Sequence, residues 1–387
     1  MFDFDRIIDR SDSGSLKWDR YAGRDVLPLW VADMDFAAPP AVLAALRQRV
    51  DHGVFGYTHA PAELVEVILE RLWQRHRWRV KAESLVWLPG LVVGLNVACR
   101  AVGGEGSEVL SMTPIYPPFL SAPGLSGRKL VTVPMVQQGD QWLIDFEAME
   151  AAITPASCLL LLCSPQNPTG RVFNKDELER LAEFCQRHDL ILCSDEIHGD
   201  LVLEPGCQHL PTASLSAEVA ARTITLMAPS KTFNLPGLNC AFAIITDDSL
   251  RRRFQRAMAG IVPYVNLFGY VGALAAYRDS GDWHQALLDY LRGNRALVTE
   301  ALATMPGLQA TCGEATYLTW IDARNTGLDD PAKFFEQAGV GLSDGAEFGA
   351  PGFLRLNFGC PRSLLAQGLE RMARAATGLA RGSKESR

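Results

Sequence analysis

Lys231 follows an apolar, β-branched run, Thr223 to Met227, in the stretch RTITLMAPSKTFNLPGL of residues 222–238. The run reads as a buried strand that breaks at Pro229 and delivers Ser230, Lys231 and Thr232 at its end. Desolvation at such a strand end lowers an ammonium's pKa and frees its amine to attack a carbonyl. Taken alone, the residue reads as a solvated loop lysine beside an ordinary strand. Three further runs end in polar groups that bear on the choice. The apolar run Cys158 to Cys163 leads into SPQNPTG, which sets Asn167 between two prolines. LILCS leads into Asp195, followed by Glu196 and His198. LVWLPG ends at Gly90, after which Leu91, Val92 and Val93 open a helix.

Each of these has a plainer structural reading. Pro168 and Gly170 are turn residues, Asp195 serves equally as a helix cap or half of an ion pair, and any turn-to-helix junction exposes amides. A carboxylate at the end of a buried strand does carry one firm requirement: without a cationic partner its burial is very costly.

The elements that must position these residues alternate along the chain. Pro39-Pro40 opens a helix over Ala41 to Val50, and a second helix runs from Pro61 to Arg75. From Leu85 onward strand-like pieces (LVWL, EVLSM, KLVTVPM, Ser157 to Cys163, LILCSDEI, TITLMAPS, AFAIITD) alternate with helical ones. Asn174 caps a helix to His188, with Glu177 as capping-box partner. Strands this apolar, separated by amphipathic helices, imply an α/β/α sandwich around a mostly parallel sheet. A long helix spans Asp282 to about Thr304, and the rest of the chain alternates short strands (TYLTWID, FLRLNFG) with helices, as a smaller α+β domain would. The expected division is a large domain over residues 45–285, with residues 1–44 and 286–387 forming an N-terminal arm and the small domain.

Composition narrows the class. A chain of 387 residues holds a substantial core, and its net charge of −7 gives nucleic acid or an anionic membrane no purchase. Nine scattered cysteines without a C-x-x-C pair read as reduced core residues, not as a disulfide or metal framework. The start MFDFDRIIDR lacks an apolar signal region, and no apolar run is long enough to span a bilayer, so a cytoplasmic location is expected.

In open α/β sheets, ligands bind at the carboxyl ends of the strands. Four such ends here offer amides for a phosphate, an amide side chain, a carboxylate and a lysine. A phosphorylated pyridine aldehyde needs each of these parts. The set SPQNPTG, SDEIH and SKTFNLPGL, with 28 residues from Asn167 to Asp195 and 36 from Asp195 to Lys231, resembles the pyridoxal-phosphate enzymes of the aspartate-aminotransferase fold type (fold type I) over essentially the whole chain. The resemblance implies that Lys231 forms the Schiff base with pyridoxal 5′-phosphate, Asp195 pairs with the pyridinium nitrogen and Asn167 bonds the ring oxygen. It further implies that Ser230 and the amides of Leu91, Val92 and Val93 hold the phosphate, Tyr116 of TPIYPPF stacks on the ring, and Arg355 of FLRLNFG binds the substrate α-carboxylate. Tyr57 of FGYT would reach the phosphate of a neighbouring subunit, which implies a homodimer with shared sites.

Within that fold type the chain is similar to the cystathionine β-lyase branch, the cysteine–sulfur lyases of the MalY and PatB kind. The supporting stretches are KWD at 17–19, LPLWVADMDF at 27–36, GYT at 56–58, DEIHGDL at 195–201 and SKTFNLPGL at 230–238. His198, counted with the cofactor-binding residues, stands where many aminotransferases carry tyrosine. Asn239 departs from the aspartate aminotransferases, which have arginine at that place on the phosphate. The implied reaction is α,β-elimination from L-cystathionine or another L-cysteine S-conjugate, giving thiol, pyruvate and ammonia, with Lys231 as the base at Cα. Two other readings stand beside it. A class I/II aminotransferase would use the same lysine but convert stoichiometrically to the amine form of its cofactor with amino donor alone. A regulatory or binding module on the same fold would keep a partner after Lys231→Ala.

Overall fold

A computed structural model describes the backbone of residues 2–311 and 313–385, and side chains within that span as far as residue 379. Seven strands form its large sheet: β1 (Leu85–Leu88), β2 (Glu108–Thr113), β3 (Lys129–Pro134), β4 (Ser157–Cys163), β5 (Ile191–Asp195), β6 (Thr223–Met227) and β7 (Ala241–Ile244). Their spatial order is β1-β7-β6-β5-β4-β2-β3. The five strands from β6 to β3 are parallel neighbours, whereas β7 runs antiparallel to both β6 and β1. The seven strand-like pieces expected between Leu85 and Asp247 are all in this sheet.

Why β4 has no polar alternation is visible in its packing. Leu159, Leu161 and Cys163 face one hydrophobic cluster, and Leu160 and Leu162 face another across the sheet. Both faces are covered by other elements, so both sets must be apolar. Each fully buried leucine there contributes about 1.5–3 kcal/mol relative to exposure. One covering helix is preceded by Asn174, whose side chain accepts from the Glu177 N–H at 2.9 Å while the Glu177 carboxylate accepts from the Asn174 N–H at 2.8 Å. This capping box starts the helix Lys175–Arg187, as its sequence foretells.

The helices Pro40–His52, Ala62–His76 and Gly281–Ala303 also lie where the sequence puts them, within one or two residues. The helices Asp248–Met258 and Leu267–Asp279 were not anticipated. The second is rich in small residues, with Gly269, Gly272, Ala273, Ala275 and Ala276 buried, and so has no apolar stripe to read. A Cβ at Gly269 would sit 2.6 Å from the Leu238 carbonyl oxygen, so only glycine lets this helix lie against the loop that follows Lys231.

A four-stranded antiparallel sheet, in the order Gln309–Thr311, Leu318–Asp322, Phe353–Asn357, Ser343–Asp344, forms the smaller layer. The N-terminal arm lies on it: Leu27–Pro28 pairs in parallel with Val340–Gly341. Phe4, Leu29, Met34 and Phe36 share a core with Leu354, Leu356 and Leu287. Among the described residues, no helix is long and apolar enough to cross a membrane.

Candidate active site

The strand ends converge. A cavity of about 200 Å³ is lined by Gly90, Leu91, Val92, Tyr116, Asn167, Asp195, His198, Ser230, Lys231 and Arg355, together with Val31, Ala32 and Asn239. Nine of the eleven site residues singled out from sequence therefore line one space. Two do not line it. Val93 lies one residue further into its helix, and Tyr57 sits fully exposed on the loop that precedes Ala62–His76.

Its parts follow from local structure. The helix Leu91–Ala101 begins after Gly90, and its first N–H bonded back into the turn is that of Gly94, to the Gly90 carbonyl at 3.2 Å. The amides of Leu91, Val92 and Val93 precede it and have no intrahelical acceptor, which suits them to a phosphate. Lys231 leaves β6 half-buried, and desolvation together with nearby Arg355 lowers its pKa to about 8. Its Nζ donates to the Ala32 carbonyl at 2.6 Å.

Asp195 closes β5, buried, and accepts from the Ile197 N–H at 3.1 Å. Burial raises its pKa to about 7, with nearby Lys231 offsetting only part of the cost. The cationic partner that the sequence demands for this carboxylate is not in direct contact with it. A protonated ring nitrogen would meet that need. His198 is buried as well, its pKa lowered to about 3 by desolvation with Lys231 and Arg355 adding to the effect, and its Nδ1 finds no partner among the described residues. His198 lines the cavity, and a neutral imidazole there can donate one ring N–H to a ligand oxygen.

Arg355, on Phe353–Asn357, is buried and reaches across to Asn167: Nη1 donates to Asn167 Oδ1 at 3.0 Å. Its Nη2 donates to the Trp30 carbonyl at 2.9 Å and lies 3.3 Å from Ser343 Oγ. With Oδ1 occupied, the Asn167 amide presents its Nδ2 to the cavity as donor. Burial lowers the guanidinium's pKa to about 10, which leaves it charged near neutrality. Tyr116 precedes the helix Pro117–Leu125, and burial raises its phenol pKa.

Sequence reading missed the segment that covers this site. Trp30 to Phe36 presents carbonyls to side chains on several elements: Arg355 at Trp30, Lys231 and Tyr317 at Ala32, and Asn357 at Val31 and Asp33. Asn234 binds the carbonyls of Met34 and Phe36. Lys17, Asp33, Asp35 and Arg10 form an ion-pair network behind it. The segment had entered the sequence reading only as part of the arm and of the family resemblance (LPLWVADMDF), with none of its residues given a role at the site.

The residues present fit pyridoxal phosphate: unpaired amides and Ser230, a donor amide, a carboxylate lacking a cation, and a half-buried amine. Fold and site together define a protein of the class I and II aminotransferase family, and the chain belongs to it, with the match to Aminotransferase class I and II spanning residues 24–372. More narrowly, it is 36% identical to cystathionine beta-lyase PatB of Bacillus subtilis (strain 168), over 96% of this chain and 99% of that one. Among solved structures it resembles OvoB, at 49% identity, 97% and 99% coverage and a TM-score of 0.95. It also resembles cystalysin from Treponema denticola, which contains pyridoxal 5′-phosphate, at 32% identity, 98% and 100% coverage and a TM-score of 0.94.

Proposed function

We propose that this chain is a pyridoxal-phosphate-dependent carbon–sulfur lyase that splits L-cystathionine or another L-cysteine S-conjugate into thiol, pyruvate and ammonia. The observation that carries this reading is the meeting of Lys231, Asp195, Asn167 and Arg355 around one cavity. Residues 45–285 are taken as the cofactor-holding unit, with the arm and the C-terminal part closing over it.

Bound pyridoxal phosphate supplies an electron sink for the negative charge that develops at Cα. The chain's own groups do the rest. Arg355 holds the α-carboxylate in its planar fork, which fixes the orientation of the Cα–H bond. Lys231, depressed to about 8, is partly neutral near pH 7–8 and takes the Cα proton as general base. The same Nζ can return that proton to the departing sulfur. Asp195 would pair with the ring nitrogen and favour its protonated form, Asn167 and His198 would bond the ring oxygen, and Tyr116 would cover the ring face. Ser230 and the amides of Leu91, Val92 and Val93 would hold the phosphate. Asn239, where an arginine would supply charge, lines the cavity in a left-handed conformation with φ 51°.

A homodimer completes the site in this proposal. Phe55 and Tyr57 on one loop and Ile261 and Tyr264 on another are large apolar or aromatic side chains left exposed. Such a surface suits a second copy of the chain, which would bring Tyr57 to the neighbouring phosphate. A cytoplasmic location accords with the free cysteines.

The test is a screen for pyruvate and free thiol across cystathionine, cystine and S-alkylcysteines, with α-keto acids as transamination controls. Release of both products supports the lyase. Stoichiometric conversion of the cofactor to its amine form by amino donor alone, with no thiol, would favour the aminotransferase reading instead.

A further inference from the structure

We infer that Tyr317 is a positioning residue for Lys231, acting through the carbonyl oxygen of Ala32 that both side chains use. Lys231 Nζ lies 2.6 Å from that oxygen and the Tyr317 hydroxyl 3.0 Å from it, both as donors. A carbonyl oxygen has two lone pairs, so two donors fill it. Tyr317 is buried, and burial together with nearby Asp33 drives its phenol pKa far up, so it stays a neutral donor at working pH.

The arrangement is held from several sides. Thr316, the preceding residue, is buried at φ 74°, a conformation β-branched residues rarely adopt. Such a backbone persists only when its surroundings hold it. The Phe358 N–H donates to the Tyr317 carbonyl at 2.9 Å. Asn357 Nδ2 donates to the carbonyls of Val31 and Asp33, at 2.6 and 2.7 Å, and so pins the residues on both sides of Ala32.

In the cofactor-free chain the Lys231 amine is free, the same condition it has once a substrate amine has displaced it. The Ala32 carbonyl is then the resting place of the amine before it takes the Cα proton. By drawing on the same oxygen, the Tyr317 hydroxyl weakens the hold of that oxygen on the ammonium form. The amine stays oriented without becoming too basic to shed its proton. The other charged or titratable groups facing the pair are Arg355, Asp33 and Asp195 around Lys231, and Asp33, Arg355 and the His198 ring around Tyr317.

This inference rests on Lys231 being the residue that captures the cofactor, and its test separates the two. Full-length protein is stripped of cofactor, and the rate of Schiff-base formation with added pyridoxal 5′-phosphate is followed by absorbance as a function of pH. Capture needs the neutral amine, so the profile reads the Lys231 titration directly. Tyr317→Phe frees the oxygen for the ammonium, and the midpoint should rise by about 0.5–1 pH unit. Asn357→Leu releases the carbonyl, and the midpoint should fall by a similar amount. In the holoenzyme, Tyr317→Phe should lower kcat about tenfold while KM stays within about twofold, as for a group that acts on the base and not on the substrate. A Tyr317→Phe midpoint at or below the wild-type value overturns the inference, as does a parallel shift in both variants, which mere loosening would give. If Asn357→Leu does not fold, the Tyr317→Phe profile alone decides. A wild-type chain that captures no cofactor at Lys231 overturns the functional proposal instead.

Discussion

Arg355 Nη1 donates to Asn167 Oδ1 at 3.0 Å, joining a strand of the small sheet to the turn that ends β4 of the large one. The proposed carboxylate reader and the proposed ring-oxygen donor are thus one unit. Arg355→Lys keeps the charge but loses both the planar fork and this contact. Its kcat/KM should fall by about 10²–10³-fold, with KM rising, since a charge-assisted pair lost in a buried site costs about 2–5 kcal/mol. Steady-state kinetics on the best substrate of the screen checks this. A variant within threefold of wild type would remove Arg355 from substrate binding.

Lys231→Ala removes both the Schiff base and the general base. The visible absorbance of the bound cofactor should disappear, and turnover should drop by at least the ~10²–10⁴-fold assigned to a positioned proton-transfer group. Absorbance and pyruvate release in the same preparation test the two roles together.

Burial pushes the Asp195 carboxyl up to about 7 in the fold, against 3.8 for the free group. Between those values the folded state holds more protons than the unfolded state, so this group's contribution to stability falls as pH rises through the window. Asp195→Asn should therefore stabilise the cofactor-free protein above pH 7 and weaken retention of pyridoxal phosphate in the holoenzyme. Denaturant unfolding at pH 5 and pH 8, with and without cofactor, gives both readouts. Equal stability of variant and wild type at pH 8 without cofactor would contradict the burial cost.

Acid acts with the opposite sign, at the site and beyond it. His198 is held near 3 and His76 near 4 in the fold, against 6.5 for the free group. Below pH 6.5 the unfolded chain takes up protons that the folded chain refuses, so stability should fall as pH drops from 6.5 toward 4. His198→Gln should flatten part of that slope in thermal melts taken between pH 6.5 and 4.5.

Lys17 is fully buried and donates to Asp35 at 2.7 Å behind the covering segment. Lys17→Met leaves Asp35 with Arg10 and Trp18 but without its closest buried cation. Breaking one side of such a pair costs about 3–5 kcal/mol. The melting temperature should fall measurably, and cofactor affinity with it, because Ala32 sits on the segment this network supports.

The sequence by itself determined the large sheet and its four functional strand ends. Cys158–Cys163 is apolar on both faces and Thr223–Met227 is apolar and β-branched, so both read as interior strands whose polar ends lie at the carboxyl ends of the sheet. That placed Asn167, Asp195 and Lys231 at strand ends before any coordinates, while their roles came from the resemblance of SPQNPTG, SDEIH and SKTFNLPGL to a known fold type. The helix Leu267–Asp279 was not legible, because its buried face is, apart from Tyr270, glycine and alanine and carries no hydrophobic period. Tyr317 and Asn357 were invisible as functional residues for a different reason. Each lies on or beside a short strand of the small sheet, and each acts on the backbone of a segment roughly three hundred residues earlier in the chain. Side-chain bonds to carbonyls leave no trace in residue type, since any residue supplies the acceptor. Only tertiary structure could decide that Lys231, read first as a nucleophile toward an aldehyde, shares its resting oxygen with Tyr317.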